Sequence, residues 1–468
     1  MGTVPMGRNH FIRHSAVAVL ICAVAGSASA QQQPPAGSPA DKPPETAPAR
    51  PASPVPTFAT LGPSREIKLA ENTWFRFGAQ VQAWYKAAQD RILQSNGSDG
   101  TYAMDYYCRR CRFFATGSVV KDVYFNVLFE ASNLGKFDAV TGTKSFAAPN
   151  ILDAYGQVKF ADWFWLSGGN ILLPLTRNGL QPTTTYLSID TANVASTPAL
   201  QGNTNTAVLR DLGFQANGFF LENHLEYRVG VFQGTRQGAV TTGTPPNVVV
   251  TQTGSHNGPR VVAMASYNFW DIETGYVNGG HYYGARKVVG VMGNFDYQIL
   301  RTDGPPAPGT SKNAYYGVSA AAFLNYPLSG QPSPRGGDEI AGLLQWGYYD
   351  GGLRQTGAVP SNPGSYPNVL KQMNYLAEAA YYNHASKFSV FGKFEKRKIS
   401  DDYSGPVGTA FKIASNQTWI AGGAKYYVGP FNFMNFALQY ERIINDDAPS
   451  TQQSGTNNIT FQMQTLLY

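Results

Sequence analysis

The chain has 468 residues, of which 43% are hydrophobic, 13% aromatic and only 14% charged. Soluble domains typically carry a charge on about a quarter of their residues, so this composition argues against an ordinary soluble protein. The formal net charge of +6 is spread along the chain without basic runs, which argues against a nucleic-acid partner. The mean hydropathy is only -0.25, and no stretch beyond the first thirty residues is apolar enough for a transmembrane helix.

The start of the chain predicts export. Residues 1–30 combine early arginines, a short apolar run and small residues at 28–30, which is the organisation of a secretory signal peptide. Residues 31–64 are rich in Pro, Ala, Ser and Gln, a composition that predicts a flexible linker. We therefore expect one folded domain over residues 65–468.

From residue 65 onward, apolar and polar residues alternate in short segments. Near the end, Ile459, Phe461 and Met463 alternate with Thr460 and Gln462, a period of two that predicts a strand with one apolar face. Only helices and closed barrels satisfy every backbone group in lipid, so we predict an all-β transmembrane antiparallel barrel of about sixteen strands. In chain order the predicted strands are residues 73–87, 106–120, 123–133, 151–160, 164–173, 212–220, 225–233, 260–269, 287–298, 314–326, 339–349, 373–382, 387–398, 417–427, 432–443 and 458–467.

The connections between predicted strands alternate between tight turns, such as 121–122 and 221–223, and long segments, such as 234–259 and 353–372. Short periplasmic turns and long external loops are typical of bacterial outer-membrane barrels. The connection over residues 270–286 is longer than the short turn expected at this place in the strand order. A barrel with two strands more or fewer is therefore the alternative.

Alternation also assigns charged side chains to the lumen, because a charge that faces lipid near the membrane centre costs about 2–4 kcal/mol. Opposed charges inside a pore set its ion selectivity; solvation of the wall is the alternative role. Acids such as Glu130, Asp153 and Glu395 accompany the basic residues on the inner face. The predicted pore-lining basic residues are Arg76, Arg110, Arg112, Lys159, Arg228, Lys393, Arg397 and Lys425.

Residues 174–210 form the longest connection in the first half of the chain. An ordered loop of this length usually has a function, and folding into the lumen narrows a sixteen-stranded barrel to the size of a solute. Arg177 is then the predicted constriction residue, with Asp190 as the opposite charge.

Cys108 and Cys111 lie in a predicted strand. In a regular strand such positions are about 10 Å apart on opposite faces, whereas a disulfide needs Cα atoms closer than about 7 Å. Only four histidines lie beyond the leader, so a zinc site lacks ligands. We predict free thiols, no metal and no cofactor.

Several motifs in the first half of the folded domain occur in the order of a known family. They are Phe75-Arg76-Phe77-Gly78-Ala79-Gln80-Val81-Gln82, Arg109-Arg110-Cys111-Arg112-Phe113, Asp153-Ala154-Tyr155, Gly168-Gly169-Asn170, Arg210-Asp211-Leu212-Gly213-Phe214-Gln215 and Leu225-Glu226-Tyr227-Arg228-Val229-Gly230-Val231-Phe232. Together they resemble the phosphate-selective porin O and P family of Gram-negative outer membranes, over about residues 66–234. The resemblance implies trimers of sixteen-stranded barrels that take up phosphate or related anions passively.

The long loop at 174–209 departs from that family, because it contains Arg177 and no lysine. This departure favours a general or mildly anion-leaning pore over true phosphate selectivity.

We therefore predict an outer-membrane porin for passive diffusion of small hydrophilic solutes and ions. Its expected partners are lipid, small anionic or hydrophilic solutes, the barrel-insertion machinery and further copies in a homotrimer. A structural or adhesive barrel with a plugged lumen is the alternative. We do not predict an enzyme, since a nucleophile needs an aligned base and the histidines lie in turns or connections with no serine motif nearby.

Overall fold

A computed structural model describes most of the predicted barrel domain. The described residues are 66–91, 99–138, 142–146, 148–201, 209–235, 239–242, 249–252, 257–299, 314–351, 369–401, 416–429, 433–449 and 452–467. The predicted signal peptide and linker lie outside these residues.

Within the described residues, β-strands dominate and one short 3-10 helix, Val194–Gln201, is present. No helix in this part of the chain combines the length and the hydrophobicity that a membrane crossing requires. The strands are β1 (Glu66–Ala70), β2 (Thr73–Gln89), β3 (Tyr102–Val120), β4 (Val123–Leu134), β5 (Phe137–Asp138), β6 (Thr143–Lys144), β7 (Asn150–Ala161), β8 (Phe164–Leu172), β9 (Arg210–Phe220), β10 (Leu225–Phe232), β11 (Ala239–Thr242), β12 (Val249–Gln252), β13 (Arg260–Asn268), β14 (Val288–Ile299), β15 (Ala314–Pro327), β16 (Glu339–Asp350), β17 (Gln372–Asn383), β18 (Phe388–Ile399), β19 (Gln417–Val428), β20 (Met434–Asn445) and β21 (Gly455–Leu467).

Sixteen of these strands form one closed antiparallel barrel, namely β2–β4, β7–β10 and β13–β21. Each pairs with its neighbours along the chain, and β2 closes the barrel against β21, with Ala79 opposite Leu467 and Ala88 opposite Asn458. The predicted fold class is confirmed. Each predicted strand overlaps one barrel strand, and the described residues between β13 and β14 add none.

The outer face of the barrel is apolar because the strands follow the two-residue period. In β18, Phe388, Val390 and Phe394 are exposed outward, while Ser389 and Lys393 are buried inside. Exposed aromatic side chains gather at the end of the barrel that carries tight turns: Phe160, Trp163, Phe220, Phe269 and Trp270. An apolar band edged with aromatic residues is what a transmembrane barrel presents to lipid. We call this end the short-turn end and the opposite one the long-loop end.

The inside of the barrel contains a hydrophobic core as well as polar groups. Inward-facing apolar side chains of β14–β19 form one buried cluster with side chains of the connection between β8 and β9. The contributions from the wall are Met292, Phe323, Leu343, Leu376, Phe391 and Trp419, and those from the connection include Leu175, Leu180, Leu187 and Ile189. The assumption that inward positions are polar is therefore wrong for this wall.

Candidate constriction of the lumen

The connection between β8 and β9 folds into the barrel. We call its described part, residues 173–201, the lumen loop. The side-chain amide of Asn178 donates to Glu378 Oε2 at 3.0 Å, and the backbone N–H of Val194 donates to Glu395 Oε2 at 3.0 Å. Both carboxylates belong to the inner face of the wall opposite β3. The predicted infolding of this loop is confirmed.

The other side of the lumen loop contacts arginines of β3. Asp190 accepts hydrogen bonds from Arg109 Nε at 3.0 Å and from Arg110 Nη2 at 2.5 Å. Arg112 Nη1 donates to Thr183 Oγ1 at 2.9 Å. The lumen loop therefore crosses the barrel and contacts Glu378 and Glu395 on one wall and the arginines of β3 on the other.

Asp190 carries a permanent charge at the tip of this crossing. Burial alone would raise its pKa, but Arg109 and Arg110 hold the pKa of Asp190 well below its ordinary value. The backbone N–H of Thr191 adds a hydrogen bond at 2.8 Å. Because the carboxylate stays ionised near neutral pH, the lumen loop offers a fixed negative group to the arginines.

Two further groups extend the basic surface. Arg112 forms an ion pair with Glu130 on β4. At the start of β9, Nε of Arg210 lies 3.1 Å from Oδ1 of Asp153. Arg210 also interacts electrostatically with Glu130. We call Arg109, Arg110, Arg112 and Arg210 the arginine wall. Its four guanidinium groups face three carboxylates, those of Asp190, Glu130 and Asp153.

Cys108 and Cys111 form a disulfide, so the prediction of free thiols is wrong. Their Cα atoms are 6.3 Å apart because β3 contains a β-bulge. The register of β3 against β2 shifts by one residue between Cys108 and Arg110, which leaves Arg109 as the extra residue. A bulge places two residues of one strand opposite one residue of its partner, so the alternation assumed for this segment does not hold.

The bulge also brings a functional candidate into the lumen that sequence reasoning missed. Strict alternation from Arg110 places Arg109 on the lipid side. In the structure Arg109 contacts Asp190 and its guanidinium carbon lies 5.5 Å from the centre of the Trp84 ring. The Arg109 side chain is 23% exposed, compared with 6% for Arg110 and 12% for Arg112. The signal in the sequence was the arginine pair enclosed by two cysteines.

A second segment enters the lumen from the short-turn end. Residues 269–287, here called the inner segment, join β13 to β14. The backbone N–H of Asn278 donates to the carbonyl of Leu180 at 3.0 Å, and that of His281 donates to the carbonyl of Thr185 at 3.0 Å. The lumen loop and the inner segment therefore meet inside the barrel, which explains why this connection is longer than a turn.

Arg177, the predicted constriction residue, lies where these two segments meet. Its Nη1 and Nη2 donate to the two oxygens of Glu273, each at 2.8 Å. Its guanidinium carbon lies 3.7 Å from the centre of the Phe323 ring. With 1% of its side chain exposed, Arg177 offers almost no guanidinium surface to the lumen.

Glu339 on β16 anchors the inner segment to the wall. It accepts hydrogen bonds from the backbone N–H groups of Tyr282 at 3.0 Å and Gly284 at 2.9 Å, and His281 Nδ1 lies 2.9 Å from it. Burial lowers the pKa of His281 although Glu339 opposes the shift, so this imidazole is neutral at pH 7. Among the described residues, no three potential ligands are grouped as a metal ion needs.

The other predicted basic residues are dispersed and each has a partner. Arg228 pairs with Glu226, and Lys393 with Glu395, both at 2.7 Å. Lys425 donates to the carbonyl of Ser188 at 2.8 Å. The remaining contacts are Arg76 with Glu66 at 2.8 Å, Lys159 with Asp162 at 2.7 Å and Arg397 with the carbonyl of Asn193 at 3.4 Å. Of the predicted set, the structure places Arg110 and Arg112 together beside the lumen loop, and Lys393 and Lys425 both interact with Glu378 on the opposite wall.

Comparison with known proteins shows the fold of the chain. No protein-family model and no curated protein matches it. OmpF of Salmonella typhi, solved with daunomycin, is 13% identical, with 86% of this chain and 100% of that chain covered and a TM-score of 0.52. The outer-membrane channel DcaP of Acinetobacter baumannii is 10% identical, with 86% and 99% covered and a TM-score of 0.48. An anion-selective porin from Comamonas acidovorans is 11% identical, with 84% and 99% covered and a TM-score of 0.49.

The likeness to OmpF shows the fold of this chain, a closed antiparallel β-barrel.

Proposed function

We propose that this chain is an outer-membrane porin through which small hydrophilic solutes and ions diffuse passively, with a mild preference for anions. The observation that supports it most is the contact between Asp190 and the arginine wall. There the lumen loop meets the barrel through charged groups that stay partly exposed, as Arg109 and Arg112 do. Against the opposite wall, the loop is buried.

The charge arrangement gives the direction of selectivity. Rings or walls of charged side chains raise the local concentration of counter-ions in a narrow aqueous passage. Four guanidinium groups against three carboxylates leave a small positive excess, so a weak preference for anions follows. Inorganic phosphate is one candidate solute, because guanidinium groups bind phosphate oxygens in pairs.

The same proposal orients the barrel and its partners. Bacterial barrels keep their short turns in the periplasm, so the inner segment enters from the periplasmic side and the lumen loop from outside. We propose export by the signal peptide, insertion by the barrel-insertion machinery and assembly into a homotrimer. That the chain has no catalytic activity stays a prediction.

A structural or adhesive barrel with a plugged lumen is the second candidate. The observation that favours it is the set of hydrogen bonds between the lumen loop and the inner segment, such as that from Asn278 to Leu180 at 3.0 Å. Two segments that meet inside the barrel obstruct it from both ends. The two candidates differ in whether water and ions pass beside Arg109.

Conductance measurements separate these candidates. Purified, folded protein is added to a planar bilayer, and the reversal potential is then measured in a salt gradient. A porin gives stepwise current with a reversal potential on the anion side. Absence of current from protein that has inserted in a folded state, together with absence of solute-driven swelling of proteoliposomes, would establish the plugged barrel instead.

A further inference from the structure

We infer that the Cys108–Cys111 disulfide is a positioning element for ion selectivity, and that Arg109, which it holds in the lumen, is a selectivity-determining residue. This inference rests on the proposed pore function. Neither Arg109 nor this disulfide belongs to the predicted set of pore-lining residues.

Two successive arginines of β3 point to the same face of the strand. In a regular strand, neighbouring side chains point to opposite faces. Here Arg109 Nε and Arg110 Nη2 bind the two carboxylate oxygens of Asp190, at 3.0 and 2.5 Å. Successive residues reach one carboxylate from the same face because Arg109 is the extra residue of the bulge.

The disulfide fixes this bulge. Cys108 and Cys111 flank the two arginines and lie on the outer face, where Cys108 is opposite Ala83 and Cys111 opposite Val81. A regular strand would separate their Cα atoms by about 10 Å, beyond the reach of a disulfide, so the bond and the regular strand exclude each other. Stabilisation by a disulfide grows with the length of the chain it encloses, and this one encloses two residues.

Arg109 and Arg110 differ in their contacts and in their exposure. Arg110 donates to Gln82 Oε1 at 2.9 Å as well as to Asp190, and its side chain is 6% exposed. Arg109 is 23% exposed and lies closer to the long-loop end of β3 than Arg112 does. An anion that enters from the long-loop end therefore meets Arg109 first, while Arg110 holds the lumen loop in place.

The experiment measures reversal potential in a KCl gradient for four proteins: wild type, Arg109→Gln, the pair Cys108→Ser with Cys111→Ser, and the triple variant. A unit charge about 4 Å from the ion path changes the local concentration of each ion by about fivefold in water, in opposite directions for chloride and potassium. Arg109→Gln should therefore lower the chloride-to-potassium permeability ratio by up to roughly 30-fold. Loss of the disulfide should lower the ratio in the same direction. In the Arg109→Gln background, loss of the disulfide should have no further effect.

Two controls accompany these variants. Arg442→Gln removes an exposed arginine from the outer face near the long-loop end and should leave the ratio unchanged. Reduction with a phosphine should reproduce the cysteine substitutions in the wild type and do nothing to the cysteine-free variants. Heat-modifiable migration in gels confirms that each variant is folded.

The outcomes separate the inference from the proposed function. If wild-type protein gives no current, the pore function fails. If wild type conducts and Arg109→Gln leaves the ratio unchanged, Arg109 is not selectivity-determining. If loss of the disulfide changes the ratio equally with and without Arg109, the bond does not act through this residue and the inference is overturned.

Discussion

The lumen loop contacts two walls of the barrel that differ in chemistry. On the arginine wall, Asp190 meets the partly exposed guanidinium group of Arg109 and the buried one of Arg110. On the inner face of β14–β19, which we call the anchor wall, the loop packs leucines against apolar side chains and donates hydrogen bonds to the buried carboxylates of Glu378 and Glu395. The first contact is made by charged groups that are exposed in part, whereas the second combines a buried apolar cluster with buried hydrogen bonds.

This difference assigns separate tasks to the two walls. Apolar burial contributes roughly 25 cal/mol per Å² and does not depend on salt, so the anchor wall fixes the lumen loop. On the arginine wall, the buried Arg110 also holds the loop, whereas the partly exposed ion pair of Arg109 contributes about 0–1 kcal/mol and weakens with salt. In the proposed pore, Arg109 is therefore the arginine of this wall that is best placed to act on solutes, and four changes test this separation.

The largest effect is expected where the lumen loop meets the inner segment. Arg177→Met should lower the free energy of unfolding by about 3–5 kcal/mol, because it leaves Glu273 buried without its partner. Released from the inner segment, the loop should also admit a larger single-channel conductance. Urea unfolding in detergent and bilayer recordings measure both, and a loss of stability below 1 kcal/mol would contradict the buried ion pair described above.

The next effect concerns the arginine wall. Arg110→Glu combined with Arg112→Glu should move the reversal potential toward cations, because two positive groups beside Asp190 become negative. The free energy of unfolding should also fall, because Arg110 and Arg112 are largely buried and the new carboxylates lie beside Asp190 and Glu130. An unchanged reversal potential would remove both residues from the selectivity mechanism.

A smaller effect is expected from pH on the inner segment. Because burial lowers the pKa of His281, the folded protein favours the neutral imidazole, and stability is complete above the unfolded pKa of about 6.5. As the pH falls below that value, the unfolded chain binds the proton first, and stability falls by up to about 1.4 kcal/mol per pH unit until the folded pKa is reached. The measurement is the difference in unfolding free energy between pH 7.5 and pH 5.5 for wild type and His281→Gln.

The variant should lose that part of the pH dependence which His281 supplies. Asp190 does not contribute in this range. Its pKa is lowered, so its stabilising charge is complete above a pH of about 4 and is lost only as the pH falls through the lower folded value. A pH dependence identical in the two proteins would show that His281 is not the titrating group.

The smallest effect is expected outside both contacts. Lys159→Gln removes an ion pair with Asp162, whose side chain is 64% exposed. Such a pair contributes about 0–1 kcal/mol, and it does not touch the lumen loop. Unfolding free energy and reversal potential should both stay close to wild type, and a clear change in selectivity would extend the functional surface beyond the arginine wall.

Most of the barrel was predictable because one physical rule governs it. A strand between water and lipid must alternate, as Ile459 to Gln464 do, so the sixteen strands follow from the sequence. The anchor wall was not predictable in this way. Its strands carry apolar residues on both faces: Phe323 points inward and the next residue, Leu324, points outward. Where both faces are apolar, apolar and polar residues do not alternate, so the sequence does not indicate which face is the inner one.

The candidate site was less predictable than the barrel. The bulge adds Arg109 to β3, and this extra residue changes the face to which the neighbouring side chains point. The amino-acid composition of the strand does not reveal such an insertion. The partner of Arg177 could not be found either, because Glu273 lies 96 residues further along the chain. In the sequence, the inner segment shows only as a connection too long for a turn, and such a connection equally indicates a different number of strands.

The closure of the barrel has a consequence for biogenesis. Gln80 on β2 and Gln464 on β21 are hydrogen bonded although 384 residues separate them. Since contacts this distant in sequence form late and slowly, the ribosome must release nearly the whole polypeptide before β2 finds its last neighbour. Until then β2 presents an unpaired edge that other chains can join. An unpaired edge of this kind favours aggregation, so truncating the final strand should yield an aggregate in place of a closed barrel.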